Sequence, residues 1–137
     1  MNRLMFWMKS KTQYNIHSPF VFDLYSNVLF AKLTPAQSAQ VPEVSGRGER
    51  RYYEMVYKFQ DYFGLKCVER GCEHTVLQGG SSFGKVKIVC RPHADRKSEC
   101  AWNKMQTDID YGVSIDLYDV GILLSNAKLH PQKFLLR

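Results

Sequence analysis

Three cysteines and two histidines fall within one central stretch, as Cys67-x₄-Cys72-x-His74 and Cys90-x₂-His93. Thiolate and imidazole are the donors zinc prefers, but structural zinc is usually held by tighter paired spacings such as two Cys-x₂-Cys knuckles. No metal is therefore assigned. Cys90 and His93 could form a thiolate–imidazole pair, which needs a third group to orient the base. The sequence offers none nearby, so no catalytic residue is assigned either. Gly79-Gly80-Ser81-Ser82-Phe83-Gly84-Lys85 fits the first seven positions of a phosphate-binding loop. That loop needs Ser or Thr next, to hold Mg²⁺, and then a helix whose N-terminal amides face the phosphate. Val86 follows instead, and the residues after it alternate like a strand. A glycine-rich hairpin loop is the expectation. Asp116 and Asp119 flank what reads as a tight turn, where carboxylates serve the backbone.

The elements that must position these groups change character at Gly64. Before it the pattern is helical. Residues 1–16 mix Leu4, Met5, Phe6, Trp7 and Met8 with Arg3, Lys9 and Lys11, which predicts a short amphipathic helix docked on the body. Ser18 can cap a second helix, with Pro19 at its first position, running to about Ala31. Residues 34–48 hold Pro35, Pro42, Gly46 and Gly48 and few large apolar groups, so they read as a loop. Tyr52, Met55, Val56, Phe59 and Phe63 then form one stripe on a helix from about Glu49 to Phe63, and Gly64 supplies its left-handed stop.

After Gly64 the pattern is of short strands: Leu65 to Glu69, Thr75 to Gln78, Lys85 to Cys90, Val113 to Leu117, Val120 to Ser125, and a last one over Lys133 to Leu136. Cys67 and Cys90 fall in these strands as small buried groups. Asp95 can cap one helix among them, reaching about Thr107, with Ala101, Trp102 and Met105 turned inward.

A chain of 137 residues with 45% apolar and 23% charged residues is long enough for one domain with a real core. The net charge of +6 invites a nucleic-acid partner. The bases are spread from Arg47 to Lys97, however, and no recognition-helix, zinc-finger or RNA-binding signature accompanies them. The first apolar run, Leu4 to Met8, is shorter than a signal core, and no stretch approaches the roughly 20 apolar residues of a membrane span. Free thiols in a reducing cytoplasm are the expectation for the four cysteines.

Two segments carry a resemblance. His17-Ser18-Pro19-Phe20-Val21-Phe22-Asp23-Leu24-Tyr25 near the start, and Val113-Ser114-Ile115-Asp116-Leu117-Tyr118-Asp119-Val120-Gly121-Ile122-Leu123-Leu124 near the end, are similar to the terminal segments of a bacterial family of class I S-adenosylmethionine-dependent methyltransferases, O-methyltransferase-like in type. The resemblance covers about 30 residues at one end and about 50 at the other. It implies an N-terminal helical cap and an antiparallel hairpin closing the sheet. Phe63 to Gly71 looks like a worn form of the family's first strand. Only Glu69 and Gly71 echo its cofactor-binding end, and no acidic residue closes a second strand about 20 positions on, where ribose binding would want it.

By the same resemblance, any surviving ligand site would use His17 of the cap with Arg91 and His93 of the loop after Lys87 to Cys90. Local roles for His17 and Arg91 are the plainer reading.

These readings converge on a single α/β domain over 1–137, a shortened class I methyltransferase-like fold. A helical cap (1–63, with the loop 34–48) packs on a small mixed sheet (64–137) that ends in an antiparallel hairpin. The expected function is that of a degenerate, non-catalytic interaction or regulatory protein with no cofactor. A compact methyltransferase binding S-adenosylmethionine at a rebuilt site is the first alternative, and a basic nucleic-acid-binding module the second. The expected partner is a second copy or another protein, because a shortened sheet leaves an edge to cover. Nucleic acid and membrane are not expected partners.

Overall fold

Alternation at Lys85–Cys90 sets the two faces of the sheet around which the chain is built. The computed structural model describes residues 1–11, 18–79, 84–107, 111–125 and 132–137. Its helices are α1 (Arg3–Lys9), α2 (Pro19–Leu24), which runs on into a π-helical turn (Tyr25–Leu29), α3 (Pro35–Gln40), α4 (Arg47–Phe63) and α5 (Arg96–Gln106). Its strands are β1 (Lys66–Arg70), β2 (His74–Gln78), β3 (Lys85–Cys90), β4 (Val113–Asp116), β5 (Val120–Leu124) and β6 (Gln132–Leu135). They form one mixed sheet of six strands in the order β1-β2-β3-β5-β4-β6. β4 and β6 pair in parallel, and the other four pairings are antiparallel.

Register decides which side chains meet. Val86, Ile88 and Cys90 lie opposite Leu124, Ile122 and Val120, and Ile122 and Leu124 lie opposite Ile115 and Val113. This face packs on Tyr52, Met55, Val56 and Phe59 of α4 and on Val21 and Leu24 of α2. Each such burial contributes roughly 1.5–3 kcal/mol, so the stripe fastens α4 far more than helix propensity does. The opposite parity, Val89 and Leu123, is covered by Trp102 of α5. Helices thus flank the sheet on both sides.

Several expectations stand as read. Ser18 Oγ accepts from Val21 N–H with Pro19 in the first turn. Gly64 ends α4 at φ +64°, and Asp95 caps α5. β4 and β5 form an antiparallel hairpin, but inside the sheet rather than closing it, because β6 adds in parallel beyond β4.

Three further expectations need correction. Residues 34–48 are not simply a loop. Thr34 and Gln37 form a reciprocal capping box at 3.2 and 3.0 Å, and α3 follows. Gln37 Nε2 then donates to Asp61 Oδ2 at 2.9 Å, tying α3 to α4. Polar capping built this helix, which a search for apolar stripes misses. Cys67 is exposed rather than buried, because every residue of β1 is exposed. On α5, Trp102 is buried, whereas Ala101 faces solvent.

The outer strand β1 is an open edge. It carries Lys66, Glu69 and Arg70, and its register shifts between Cys67 and Glu69. Charge and a bulge are devices that keep an unpaired edge from recruiting another strand. At the other margin, Lys11 bridges in parallel to Leu136 beyond β6. Among the described residues no helix is long and apolar enough to cross a membrane.

Candidate functional site

The β4–β5 turn and the β3–α5 connection approach each other at one end of the sheet. In the turn, Tyr118 takes a left-handed conformation at φ +70°, held by Asp116 Oδ1 accepting from Tyr118 N–H at 2.8 Å. In the connection, Arg91 is also left-handed at φ +48°, and its N–H donates to the Asp119 carbonyl at 2.8 Å. Both are strained for non-glycine residues, and their surroundings must hold them there. The connection then turns His93 inward, leaving its side chain 4% exposed.

His93 lies between two carboxylates. Its Nε2 is 2.5 Å from Asp116 Oδ2, and its Nδ1 is 2.8 Å from Glu99 Oε2. With an acceptor at each ring nitrogen, the fitting form is the imidazolium, donating both N–H groups. Burial opposes that charge, but the hydrogen bonds and charges of Asp116 and Glu99 outweigh it and raise the pKa above its ordinary value. Asp116 is shared further. Trp102 Nε1 donates to its Oδ2 at 3.3 Å as well. Glu99 also pairs with the Met1 amino group, which with His93 holds its carboxyl below the usual range.

Asp119 is the second hub. Arg3 Nη2 reaches its Oδ1 and Arg51 Nη1 its Oδ2, each at 2.9 Å. Burial alone would raise its pKa, yet the two guanidinium groups hold it below the usual range. Tyr118 stacks on His93 with ring centroids 5.2 Å apart, and the Arg3 guanidinium lies over the tyrosine ring at 4.4 Å. Phe6 of α1 meets the same ring edge-on at 5.3 Å. The cavity among Arg3, Arg91, His93, Tyr118 and Asp119 has about 250 Å³. Small-molecule sites usually offer roughly 300–1,000 Å³.

The chemistry open to this arrangement is narrow. An imidazolium with both N–H groups engaged has no lone pair, so His93 cannot act as a general base while the cluster is intact. Cys90 does not pair with it. Burial first, and then the charge of Glu49, push the Cys90 thiol up to about 11, so it stays protonated. Neither half of the thiolate–imidazole idea survives. Among the described residues no three His, Cys, Asp or Glu side chains are placed to hold a metal ion. Each carboxylate of the cluster is paired with a cation.

The residues named from sequence scatter. Arg91 and His93 share the cavity, whereas His17 lies outside the described residues. Glu69 and Gly71 are elsewhere, on the outer hairpin of the sheet. Glu69 is 63% exposed, with Oε1 3.2 Å from His74 Nε2, and the Gly71 carbonyl accepts from Tyr52 Oη at 2.7 Å. Of the phosphate-loop-like segment, 80–83 lie outside the described residues. On either side of it Gln78 pairs with Lys85 across an antiparallel ladder, as the hairpin reading expected.

Sequence reasoning missed Glu99, Trp102, Arg3 and Arg51, and gave Asp116 and Asp119 a turn role only. One signal was available. Two carboxylates inside an otherwise apolar stretch will be buried, and a buried carboxylate demands donors.

Comparison with protein-family models, curated proteins and solved structures returns no match for the chain. The methyltransferase resemblance therefore rests on the two end segments that carry it.

Proposed function

We propose that this chain is a degenerate, non-catalytic methyltransferase-like protein that works through its surface, as an interaction or regulatory module. The observation that carries this reading is the turn at the end of β1. A nucleoside cofactor in such folds sits where a strand turns into a helix, with tight glycine turns and helix N-terminal amides facing it. Here β1 turns through Gly71 into antiparallel β2, and Tyr52 takes the Gly71 carbonyl. Ligands of α/β sheets also gather beyond the carboxyl ends of parallel strands. The parallel pair is β4 with β6, and Asp116 at the end of β4 is already taken by His93 and Trp102. Both places are filled by the protein's own groups.

Isothermal calorimetry with S-adenosylmethionine tests this directly. No heat of binding is expected at millimolar ligand. A dissociation constant tighter than about 100 μM, roughly 5.5 kcal/mol, would replace this reading with that of a compact methyltransferase.

A further inference from the structure

Helix α1 is pinned to the body by one side and bare on the others. Asn2 caps it, with Oδ1 accepting from Met5 N–H at 2.8 Å, and Arg3 reaches Asp119. Phe6 is 4% exposed, buried against His93 and Tyr118. The remaining large residues point outward: Leu4 is 66% exposed, Met5 41%, Trp7 57% and Met8 65%. Among the described residues, half of the exposed large apolar side chains stand on this one helix. Scattered surface apolars need no explanation, but four on one short helix do.

Charge indicates what covers them. Lys9 and Lys11 are exposed and, among the described residues, have no carboxylate partner. Arg137 lies beneath the patch, its guanidinium 4.1 Å from the centre of the Trp7 ring. Its Nε and Nη1 are buried and have no hydrogen-bond partner. Buried donors of a charged group left without acceptors are costly, and they keep this end of the patch cationic. The acids that meet the start of α1, Asp119 and Glu99, are neutralised by Arg3 and Arg51, and by His93 and the Met1 amino group. Both acids beside the helix are thus spent, and neither repels an anionic surface.

We infer that α1 is an interfacial anchor that docks this protein on an anionic lipid bilayer. Leu4, Met5, Trp7 and Met8 enter the boundary between headgroups and acyl chains, where tryptophan is favoured. Lys9 and Lys11 meet the lipid phosphates, reaching outward on their long stems, and Arg137 adds its positive charge from beneath Trp7. The sequence did not lead to this expectation, because α1 is short and its basic face is completed only by Arg137 from the far end of the chain. The inference gives the proposed interaction module its partner. Cofactor binding would overturn that module and leave the anchor standing, so the two can fail separately.

The test is flotation of the whole protein with vesicles of phosphatidylcholine alone, or with about 30% phosphatidylserine added. Binding to the anionic vesicles is expected at least about ten-fold above the neutral ones, and it should fall away in about 0.5 M salt. L4S/M8S should lose it without losing the fold, since both side chains are exposed; far-ultraviolet dichroism and the melting temperature check this. K9E/K11E should abolish the preference for anionic lipid, at about five-fold per lysine removed. Equal binding to both vesicles, or unchanged binding by L4S/M8S, overturns the anchor. So does absence of vesicle binding together with a dimer, seen by light scattering, that L4S/M8S converts to monomer. In that case a second copy covers α1.

Discussion

One histidine–carboxylate pair lies in the outer hairpin of the sheet and another between the β3–α5 connection and the end of β4, and they differ in almost everything but chemistry. In the outer hairpin, His74 and Glu69 meet at 3.2 Å with the carboxylate 63% exposed. At the inner pair, His93 and Asp116 meet at 2.5 Å with side chains 4% and 7% exposed. Water screens the first pair and competes for its hydrogen bonds. The second has lost its water and depends wholly on protein partners. Breaking a buried pair leaves a charge that nothing solvates, whereas breaking an exposed one returns both groups to solvent. Burial, rather than the identity of the pair, sets what each contributes.

The largest effect should come from Asp116→Asn. It leaves the His93 ring buried beside a neutral amide and weakens the bonds from Trp102 Nε1 and Tyr118 N–H. Loss of one partner of a buried pair costs roughly 3–5 kcal/mol. Urea unfolding, followed by the fluorescence of buried Trp102, should show a loss of unfolding free energy of that size. A change below about 1 kcal/mol would mean that solvent reaches the cluster.

Next comes the platform beneath the pair. Gly121 lies opposite Asp116 in the ladder, and a Cβ there would stand 2.6 Å from Trp102 Cζ3. Gly121→Ala therefore pushes the indole away from Asp116 and is expected to cost about 1–3 kcal/mol, as overpacking does. Combined with Asp116→Asn it should cost less than the sum, because both mutations disturb one contact. Strict additivity in this cycle would separate the packing of Trp102 from the ion pair.

The pH dependence sharpens the same contrast. The pKa of His93 in the folded chain is raised above 6.5. Its contribution to stability is therefore complete below that value and drains away as pH rises through the folded pKa. At the acid end, Glu99 and Asp119 have lowered pKa values. Their contributions are present above the ordinary 4.5 and 3.8 and are lost as pH falls through the folded values. Unfolding free energy should decline on the alkaline side in the parent chain and in His74→Gln alike. In His93→Gln the part of that decline that begins above pH 6.5 should be gone, leaving the fall above about pH 9 that the buried Cys90 thiol causes. Equal slopes in all three would show that His93 does not bind its proton more tightly when folded.

How much of this could be read from the sequence divides along the same line. The stripe of α4, its glycine stop, the cap at Ser18 and the alternation of β3 are local patterns, and the chain folds as they indicate. The mixed sheet and the β4–β5 hairpin were legible for the same reason, whereas the place of the hairpin inside the sheet, with β6 beyond it, was not. The polar cluster was not, because its members are far apart in sequence: Arg3 and Asp119 by 116 residues, Arg51 and Asp119 by 68. No periodicity announces such a pairing. Only topology, with β5 entering between β3 and β4, brings the Arg91–His93 segment against the β4–β5 turn. α3 was missed for a different reason. Its Thr34-Pro35-Ala36-Gln37 start is a local capping signal, but it carries no apolar stripe.

The smallest effect should come from removal of the outer pair. Glu69→Ala and His74→Ala each delete an exposed contact beside a strand whose five residues are all exposed. Exposed pairs are worth at most about 1 kcal/mol, and changes at such sites usually stay within about 0.5 kcal/mol. Unfolding midpoints should hardly move. A loss comparable with that of Asp116→Asn would mean that something unseen covers β1 in solution and has dried the pair. Light scattering on the parent chain and on Glu69→Ala would then show an assembly that the substitution disperses. If neither the midpoint nor the mass changes, the guarded edge of β1 is bare, and the surface through which this chain meets others must be sought at the opposite margin, beside α1.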